Sequence, residues 1–332
     1  MIETRVQLLE QFFKDAYETL QGQFPGLQIV LETDKIDRRS LAADAEVLIV
    51  QKEPVDATLL DAAPVLRLLL KMGRVYDNVD VDAVRRRNIP MAMVSRKGPN
   101  CVAELALTLI LALSKDLLRS HNHVVQGDYR RLGLEPARTS ESKYAFKWMN
   151  QPNIHEVRRK TLGLVGMGEI GCEIARRAKA LEMNVLYFKR NRLRSELEQR
   201  YGVLYSDLHP MLEESDYVCL AVPHTPSTEH LIGEKELLLI GQRSFLVNIS
   251  RGTVVDERAL IEALQKGIIA GAGLDVFTYE PLPADSPFCQ LDNVILTPHI
   301  GGGTGSNPTL ELGEALTEVE SILAGNPAQV PL

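Results

Sequence analysis

Three glycines near the middle of the chain have the spacing of a phosphate-binding turn. Gly166, Gly168 and Gly171 form a G-x-G-x-x-G pattern that follows the apolar run 162–165 and precedes the helix-like stretch 174–181. A strand, these glycines and a helix make the turn that binds the pyrophosphate of a dinucleotide. The first glycine permits a tight turn, the second lets phosphates approach the backbone, and the third lets helix and strand pack closely. The sequence therefore predicts a dinucleotide site at a helix N-terminus.

The residues after the next predicted strand indicate which dinucleotide binds. An Asp or Glu about 20 residues beyond the glycines usually accepts hydrogen bonds from the adenosine ribose of NAD. Here Lys189 lies 18 residues after Gly171 (189 − 171), Arg190 follows it, and residues 185–194 contain no acid. Because two cations would bind a 2′-phosphate, we expect NADP(H) to be preferred and NAD(H) to be possible. The alternative is that both cations are indifferent surface residues and that NAD is used.

Further polar residues stand at the ends of predicted strands, where open α/β sheets bind their ligands. The segments are 222–228, 247–256, 273–281 and 296–304. They contain Arg251, Glu280 and His299. An arginine can bind a carboxylate through two parallel hydrogen bonds, and a histidine titrates near neutral pH and can give or take a proton. Taken singly, Arg251 could be a surface ion-pair partner, Glu280 a turn residue and His299 a structural histidine.

Alternating strand-like and helix-like segments surround these residues. The strand-like runs are 5–9, 27–31, 45–50 and 66–70 in the first part, and 162–165, 184–188, 217–222, 244–249, 270–275 and 294–297 in the second. This alternation predicts an α/β fold of two Rossmann-like, doubly wound, parallel-sheet domains. The apolar stretch 100–118 predicts a long helix with Asn100 as its N-cap, buried on more than one side. A last helix at 307–324 is expected to return to the first domain.

Composition limits the classes of partner. The chain has 332 residues, which favours two domains. Its net charge of −7 argues against nucleic acid or an anionic membrane surface as the main partner. The N-terminus lacks a basic region followed by an apolar run, so no signal peptide is expected. Scattered cysteines favour a cytoplasmic location. No metal site is expected, because the H-x-H pair at His121 and His123 does not share a helix face.

The motifs together resemble the D-isomer-specific 2-hydroxyacid dehydrogenases. The resemblance rests on the glycine turn, on the four strand-end segments, and on the segments 73–80 and 102–107. It implies a substrate-binding (catalytic) domain of residues 1–96 plus 300–332, a dinucleotide-binding domain of residues 97–299, and a cleft between them. It also implies a homodimer formed through the dinucleotide-binding domain.

The resemblance implies a role for each candidate residue. The reaction is hydride transfer between the nicotinamide and a small 2-keto or 2-hydroxy acid of D configuration. Arg251 binds the substrate, His299 is the acid/base, and Glu280 stabilises the charged form of His299. The expected cofactor contacts are Gly166, Gly168, Glu169, Ile170, Gly171, Lys189, Arg190, Val222, Pro223, Ile249, Ser250, Asp275 and Gly301. Asp275 contacts the nicotinamide carboxamide in the family pattern; the alternative is a buried carboxylate satisfied by backbone N–H groups.

The substrate loop departs from the family pattern. The expected substrate contacts are Gly73, Arg74 and Val75. The family often has a small residue at the position of Arg74 and a second glycine at that of Val75. Arg74, with Arg96 and Lys97, could favour a second anionic group on the substrate; the alternative is that all three are surface cations. Glyoxylate or hydroxypyruvate is the leading substrate, and a phosphoglycerate dehydrogenase-like activity stays open.

Two further questions stay open in the sequence. Residues 127–160 mix charges, prolines and the aromatic cluster 144–148, which indicates either a surface loop or an arm that reaches a partner subunit with Trp148 as its anchor. The alternative to an enzyme is a scaffold resembling the C-terminal-binding co-repressors, which binds NAD(H) with weak or no turnover.

Overall fold

The structure, a computed structural model, divides into two compact units. It describes residues 4–9, 13–20, 22–31, 38–142, 148–151, 153–303 and 307–328. Unit 1 comprises Met1–Cys101 and Gly302–Leu332, and unit 2 comprises Val102–Gly301. Unit 2 is therefore one continuous segment of chain that is inserted into unit 1.

Unit 1 contains a parallel sheet of five strands in the described residues. Its order is β2-β1-β3-β4-β5, the doubly wound order 2-1-3-4-5. The strands are β1 (Thr4–Leu8), β2 (Leu27–Leu31), β3 (Val47–Val50), β4 (Leu68–Met72) and β5 (Met91–Val94), and the helices before residue 97 are α1 (Lys14–Leu20), α2 (Arg38–Ala42), α3 (Ala57–Asp61) and α4 (Val81–Arg86). Strand β3 has no exposed residue, as expected for a parallel strand covered on both faces.

Unit 2 is built on a parallel sheet of seven strands in the described residues. Its elements are α5 (Lys97–Ser114), which begins in unit 1, α6 (Leu117–Gln126), β6 (Thr161–Val165), α7 (Glu169–Ala180), β7 (Asn184–Phe188), α8 (Ser195–Tyr201), β8 (Leu204–Tyr205), α9 (Leu208–Glu214), β9 (Tyr217–Leu220), α10 (Glu234–Ile240), β10 (Phe245–Asn248), α11 (Glu257–Gln265), β11 (Gly271–Leu274) and β12 (Val294–Leu296). The last helix of the chain, α12 (Pro308–Leu323), follows unit 2. The sheet order is β12-β11-β10-β9-β6-β7-β8. The strand order reverses between β6 and β9, and ligands of such sheets bind at this point, outside the carboxyl ends of the strands.

Helix α12 belongs to unit 1, as expected for the last helix. Its side chains Leu312, Leu316 and Val319 are fully buried in a core that also contains Val6 and Ile49 of the sheet. Asn307 caps the helix, because its Oδ1 accepts hydrogen bonds from the backbone N–H groups of residues 309 and 310. The core of unit 1 therefore needs residues from both ends of the chain.

The predicted helix 100–118 begins earlier and ends earlier than expected. Helix α5 starts at Lys97, so Asn100 lies inside it and is not its cap. The Asn100 side chain instead donates a hydrogen bond to the carbonyl of Arg96 at 2.8 Å, a bond that lets a polar side chain stay within a helix. The helix stops at Ser114 because Asp116 adopts a left-handed conformation, with φ of +47°. Helix α6 then begins at Leu117.

The segment 127–160 contains one short 3-10 turn, Asp128–Leu132, and no further helix or strand among its described residues. Trp148 is 40% exposed and packs edge-to-face on Tyr129, with ring centroids 6.1 Å apart. Residues 143–147, which hold the rest of the aromatic cluster, lie outside the described residues. Over the whole described chain, every helix is too short or too polar to cross a membrane.

Candidate active site

His299 and Glu280 form a direct pair in unit 2. The His299 Nδ1 atom lies 2.6 Å from the Glu280 Oε2 atom. Because a carboxylate accepts hydrogen bonds, Nδ1 carries the proton in this pair and Nε2 is the ring nitrogen left to act on a substrate. The side chains of His299 and Glu280 are 44% and 34% exposed, so a small molecule can reach the pair.

The surroundings keep Glu280 ionised. Partial burial opposes ionisation, but the hydrogen bonds from His299 and from the backbone N–H of Phe277, together with the charges of His299 and Arg251, hold the pKa of Glu280 below its usual value. A carboxylate that stays charged stabilises an imidazolium on its partner. Glu280 is therefore suited to support a histidine that gains and loses a proton.

Arg251 lies in the turn after β10, beside the segment that carries Glu280. Asn248, which is buried, organises this turn: its Nδ2 donates to the carbonyl of Arg251 at 3.0 Å, and its Oδ1 accepts from the N–H and hydroxyl of Ser250. The Arg251 side chain is exposed. The sequence prediction did not include Asn248, although the residue stands in the motif 247–256 that held Arg251.

Gly252 brings the Arg251 turn against the Glu280 segment. A Cβ atom on Gly252 would lie 1.9 Å from the carbonyl carbon of Phe277 and 2.3 Å from the nitrogen of Thr278. Only a glycine permits this backbone contact. The contact keeps the arginine turn and the glutamate segment in one fixed arrangement.

Asp275 organises the loop that holds His299. It is 1% exposed, and its carboxylate accepts hydrogen bonds from the Thr297 hydroxyl at 2.6 Å and from the N–H groups of Ile300 at 2.9 Å and Gly301 at 2.8 Å. His299 itself has a left-handed backbone, with φ of +54°. These hydrogen bonds agree with the alternative that Asp275 is a buried carboxylate satisfied by backbone N–H groups. The contact of Asp275 with a nicotinamide stays a prediction.

The glycine turn after β6 has the shape of a phosphate-binding site. Gly166 has φ of +103°, and a Cβ there would lie 2.5 Å from the carbonyl oxygen of Ala221; a Cβ on Gly171 would lie 2.4 Å from the carbonyl oxygen of Gly166. A Cβ on Gly168 would meet nothing within 4 Å, so open space lies over this glycine at the start of α7. The turn therefore fits a pyrophosphate at the helix N-terminus, next to Glu169 and Ile170.

The other expected cofactor contacts lie at the same edge of the sheet. Lys189 and Arg190 follow β7 directly, and the last residue of β7, Phe188, accepts a hydrogen bond from the N–H of Gly166. Val222 and Pro223 follow β9, and Ile249 and Ser250 follow β10. The parallel sheet thus brings the ends of β6, β7, β9 and β10 to one edge, although their sequence positions are far apart.

The expected substrate loop lies in unit 1, at the end of β4. Gly73 has φ of +93° and is tied to β5 by a hydrogen bond from its N–H to the carbonyl of Val94. Lys71, which was not predicted, is 3% exposed and donates from Nζ to the carbonyls of Gln51 and Met72, both at 2.6 Å. It fixes the Met72 peptide that leads into Gly73, Arg74 and Val75.

Two of the cations near this loop are paired with carboxylates of α12. The Arg96 Nε atom lies 3.1 Å from Oε2 of the buried Glu311, and the Lys97 Nζ atom lies 2.6 Å from Oε1 of Glu314. Their charges are therefore offset within unit 1. Arg96 and Lys97 are therefore less suited to bind a second anionic group of the substrate than the sequence alone indicated.

The chain matches two family models that together span most of its length. The model described as "D-isomer specific 2-hydroxyacid dehydrogenase, catalytic domain" matches residues 6–162. The model described as "D-isomer specific 2-hydroxyacid dehydrogenase, NAD binding domain" matches residues 107–301. The second match includes the glycine turn and the residues Arg251, Glu280 and His299.

Individual proteins agree with these family models. The chain is 35% identical to a glyoxylate reductase of Pyrococcus furiosus over 331 residues, which are 99% of this chain and 91% of that protein. It is 38% identical to glyoxylate/hydroxypyruvate reductase B of an Enterobacter species over 86% of this chain and 83% of that protein. Its fold is similar to that of D-mandelate dehydrogenase from Rhodotorula graminis, with a TM-score of 0.57, 26% identity, and coverage of 99% of this chain and 97% of that one. The chain therefore belongs to the D-isomer-specific 2-hydroxyacid dehydrogenases and is an oxidoreductase that uses a nicotinamide dinucleotide.

Proposed function

We propose that this enzyme reduces a small 2-keto acid, with glyoxylate or hydroxypyruvate as the leading substrates, to the 2-hydroxy acid with NADPH. The observation that carries the proposal is the His299–Glu280 pair, whose 2.6 Å contact leaves Nε2 of the histidine available to a substrate oxygen. The reverse reaction uses the same groups, because a histidine can take back the proton that it gives.

The residues of unit 2 supply what the cofactor does not. When bound, the nicotinamide supplies a hydride to the keto carbon or takes one from the hydroxy carbon. Arg251 binds the substrate carboxylate with its planar, permanently charged guanidinium. His299 donates a proton from Nε2 to the carbonyl oxygen during reduction, and Glu280 stabilises the imidazolium before that transfer. The carbonyl thus gains one hydride and one proton and becomes a hydroxyl.

The charges around the expected substrate loop favour a substrate with a single anionic group. Lys97 and Arg96 are paired with Glu314 and Glu311, so their charges are offset before any substrate binds. A substrate with a single carboxylate and a short neutral chain needs no further cation. Glyoxylate and hydroxypyruvate have this form, and the names of the Pyrococcus and Enterobacter relatives agree with it.

Two cations support a preference for NADP(H). Lys189 and Arg190 occupy the positions after β7 where NAD-dependent sheets of this type usually have an acid. Arg190 is exposed and makes no ion pair with any residue that the structure describes. It is therefore available for a 2′-phosphate.

We also infer a homodimer in the cytoplasm. Helix α6 has no buried residue, and its Leu117, Leu118, Val124 and Val125 are each at least half exposed. A concave region of about 1340 Å³ lies beside it, and Tyr217 and Phe245 are among its lining residues. Exposed apolar residues next to a large concavity are typical of a protein interface, and a second copy of the chain would cover both. The four cysteines are free thiols, which supports a reducing compartment.

The proposal is tested with a panel of 2-keto acids and both cofactors. We expect fastest oxidation of NADPH with glyoxylate or hydroxypyruvate, and a loss in kcat of about 10²–10⁴-fold for His299→Gln. His209→Gln is a matched control, because His209 is 45% exposed and also pairs with a carboxylate, that of Glu236 at 3.1 Å. Cofactor binding without turnover across the panel would contradict the proposal and favour a scaffold.

A further inference from the structure

The loop between β7 and α8, residues 189–194, is tied to the sheet by a buried tyrosine. Tyr187 is fully buried, and its hydroxyl oxygen accepts a hydrogen bond from the N–H of Leu193 at 3.0 Å. The same hydroxyl donates to Oε1 of Glu198 at 2.6 Å. Leu193 is 4% exposed. The loop 189–194 is therefore held to β7 at its far end, through Leu193, as well as at its start.

Glu198 holds the arginine of this loop. Its Oε1 accepts from Nε of Arg192 at 2.8 Å, and its Oε2 accepts from Nη2 of Arg192 at 2.9 Å. The guanidinium also lies over the ring of Tyr205, 5.4 Å from its centroid. Tyr205 in turn packs edge-to-face on Tyr187, with centroids 5.5 Å apart. Four side chains thus form one connected unit, which we call the β7–α8 clamp: Tyr187, Arg192, Glu198 and Tyr205.

The protonation states in the clamp are fixed near neutral pH. The hydrogen bond from Arg192 outweighs partial burial and holds the pKa of Glu198 below its usual value. Burial, followed by the bond to Glu198, raises the pKa of Tyr187 above its usual value. Glu198 is therefore a carboxylate and Tyr187 a neutral phenol, which is the pattern that the observed bonds need.

Most of the acceptor capacity of this carboxylate is used within the protein. Glu198 is 11% exposed, and three donors from its own chain occupy three of its about four acceptor positions. Glu198 is therefore poorly suited to be the acceptor that the adenosine ribose of NAD usually finds after this strand. Arg192 presents only Nε and Nη2 to Glu198, and its Nη1 makes no hydrogen bond to any residue that the structure describes.

We propose that Glu198, acting with Tyr187, is a positioning residue for cofactor selectivity. It holds the loop 189–194 in one conformation, so that Arg190 and the open edge of Arg192 are presented together to a 2′-phosphate. Ordering the loop before binding removes an entropic penalty that a mobile loop would pay on binding. This inference rests on the proposed preference for NADP(H), and it adds the residue that makes the preference possible.

The test compares Glu198→Gln with the wild type in the full-length enzyme. Dissociation constants for NADPH and NADH are measured by titration of nicotinamide fluorescence, and KM and kcat are measured with glyoxylate. We expect weaker NADPH binding by roughly tenfold, as for loss of a charge-assisted hydrogen bond, with kcat and the NADH constants unchanged. Tyr187→Phe, which leaves the Arg192–Glu198 pair intact, should shift NADPH binding in the same direction by less.

Glu234→Gln is the matched control. Glu234 is an exposed acid in the first turn of α10, so this variant makes the same change in charge outside the clamp. We expect it to leave NADPH binding unchanged or slightly tighter. If Glu198→Gln also binds NADPH more tightly, Glu198 acts only as a repelling charge and the inference is wrong.

Other outcomes separate this inference from the proposed function. A wild type that binds both cofactors equally well contradicts the NADP(H) preference and the clamp together. A wild-type preference that survives in Glu198→Gln contradicts the clamp alone. Equal weakening of NADPH and NADH in Glu198→Gln means that the clamp only stabilises the fold, which also overturns the inference.

Discussion

Gly252 couples two candidate catalytic residues, although it has no side chain of its own. Its backbone touches the peptide between Phe277 and Thr278, so the turn that carries Arg251 and the segment that carries Glu280 rest on each other. Asp275 fixes the loop that carries His299, because its carboxylate accepts three hydrogen bonds from residues on either side of the histidine. The positions of the three candidate catalytic residues thus depend in part on contacts that involve none of their functional groups.

Gly252→Ala should separate the arginine turn from the glutamate segment. The new Cβ would lie 1.9 Å from a backbone carbon, and since backbone cannot rotate away, one segment must move. We expect kcat/KM to fall by at least about tenfold, which corresponds to about 1.4 kcal/mol in the activation barrier. Gly26→Ala is the control, because a Cβ there meets nothing within 4 Å. Wild-type kcat/KM in Gly252→Ala would show that the two segments are independent.

The sequence could predict the candidate catalytic residues but not the residues that support them. Arg251, Glu280 and His299 each stand in a short local motif that can be recognised in the sequence. Lys71 and Tyr187 act through hydrogen bonds to residues that the fold brings near, and in the sequence they are an ordinary lysine and tyrosine within strands. Only the structure shows that Lys71 fixes the residue before the expected substrate loop, because its partner Gln51 is 20 residues away.

At the scale of elements, one carboxylate of α8 links the helix both to the sheet and to the loop before it. Glu198 joins the helix to β7 through Tyr187 and to the preceding loop through Arg192. Because the pKa of Glu198 is lower in the folded protein than its ordinary value of 4.5, its charge stabilises the fold above about pH 4.5. That stabilisation is lost as the pH falls through the lower pKa of the folded state.

The pH dependence of unfolding should reveal this contribution. We expect the wild type to be more stable than Glu198→Gln at pH 7, and the difference to shrink progressively as the pH falls below 4.5. Urea denaturation followed by circular dichroism at several pH values measures it. A difference between wild type and Glu198→Gln that is constant down to acid pH would exclude an ionised Glu198 as its cause.

Strands were easier to predict than short helices. The buried strands of a parallel sheet are apolar runs, and β2 and β7 lie at their predicted bounds, 27–31 and 184–188. Helices α8 and α10 were not predicted, and strands β5 and β8 were also missed, because segments this short give a weak periodic signal. The long helix was predicted, but its break at Asp116 was not, since apolar periodicity continues through the left-handed residue.

At the scale of the whole molecule, α6 exposes the apolar residues that support the proposed dimer. Val125, at 70% exposed, is its most exposed apolar residue. Val125→Glu should convert a dimer to a monomer, because an unpaired charge would be buried at the interface. Sedimentation velocity measures the change. Leu204→Glu is the matched control, since Leu204 is 69% exposed on the edge strand β8. A wild type that sediments as a monomer would contradict the proposed dimer.

The insertion of unit 2 into unit 1 has a consequence for synthesis on the ribosome. The sheet of unit 1 emerges first, but its core stays open until Leu312, Leu316 and Val319 of α12 arrive. The segment Val102–Gly301 comes between, and at about 5–20 residues per second its translation takes roughly 10–40 s. Throughout that time an apolar face of the nascent sheet is uncovered, while the later dinucleotide-binding unit can already close around its own core. The part of the enzyme that is made first is the last to finish folding.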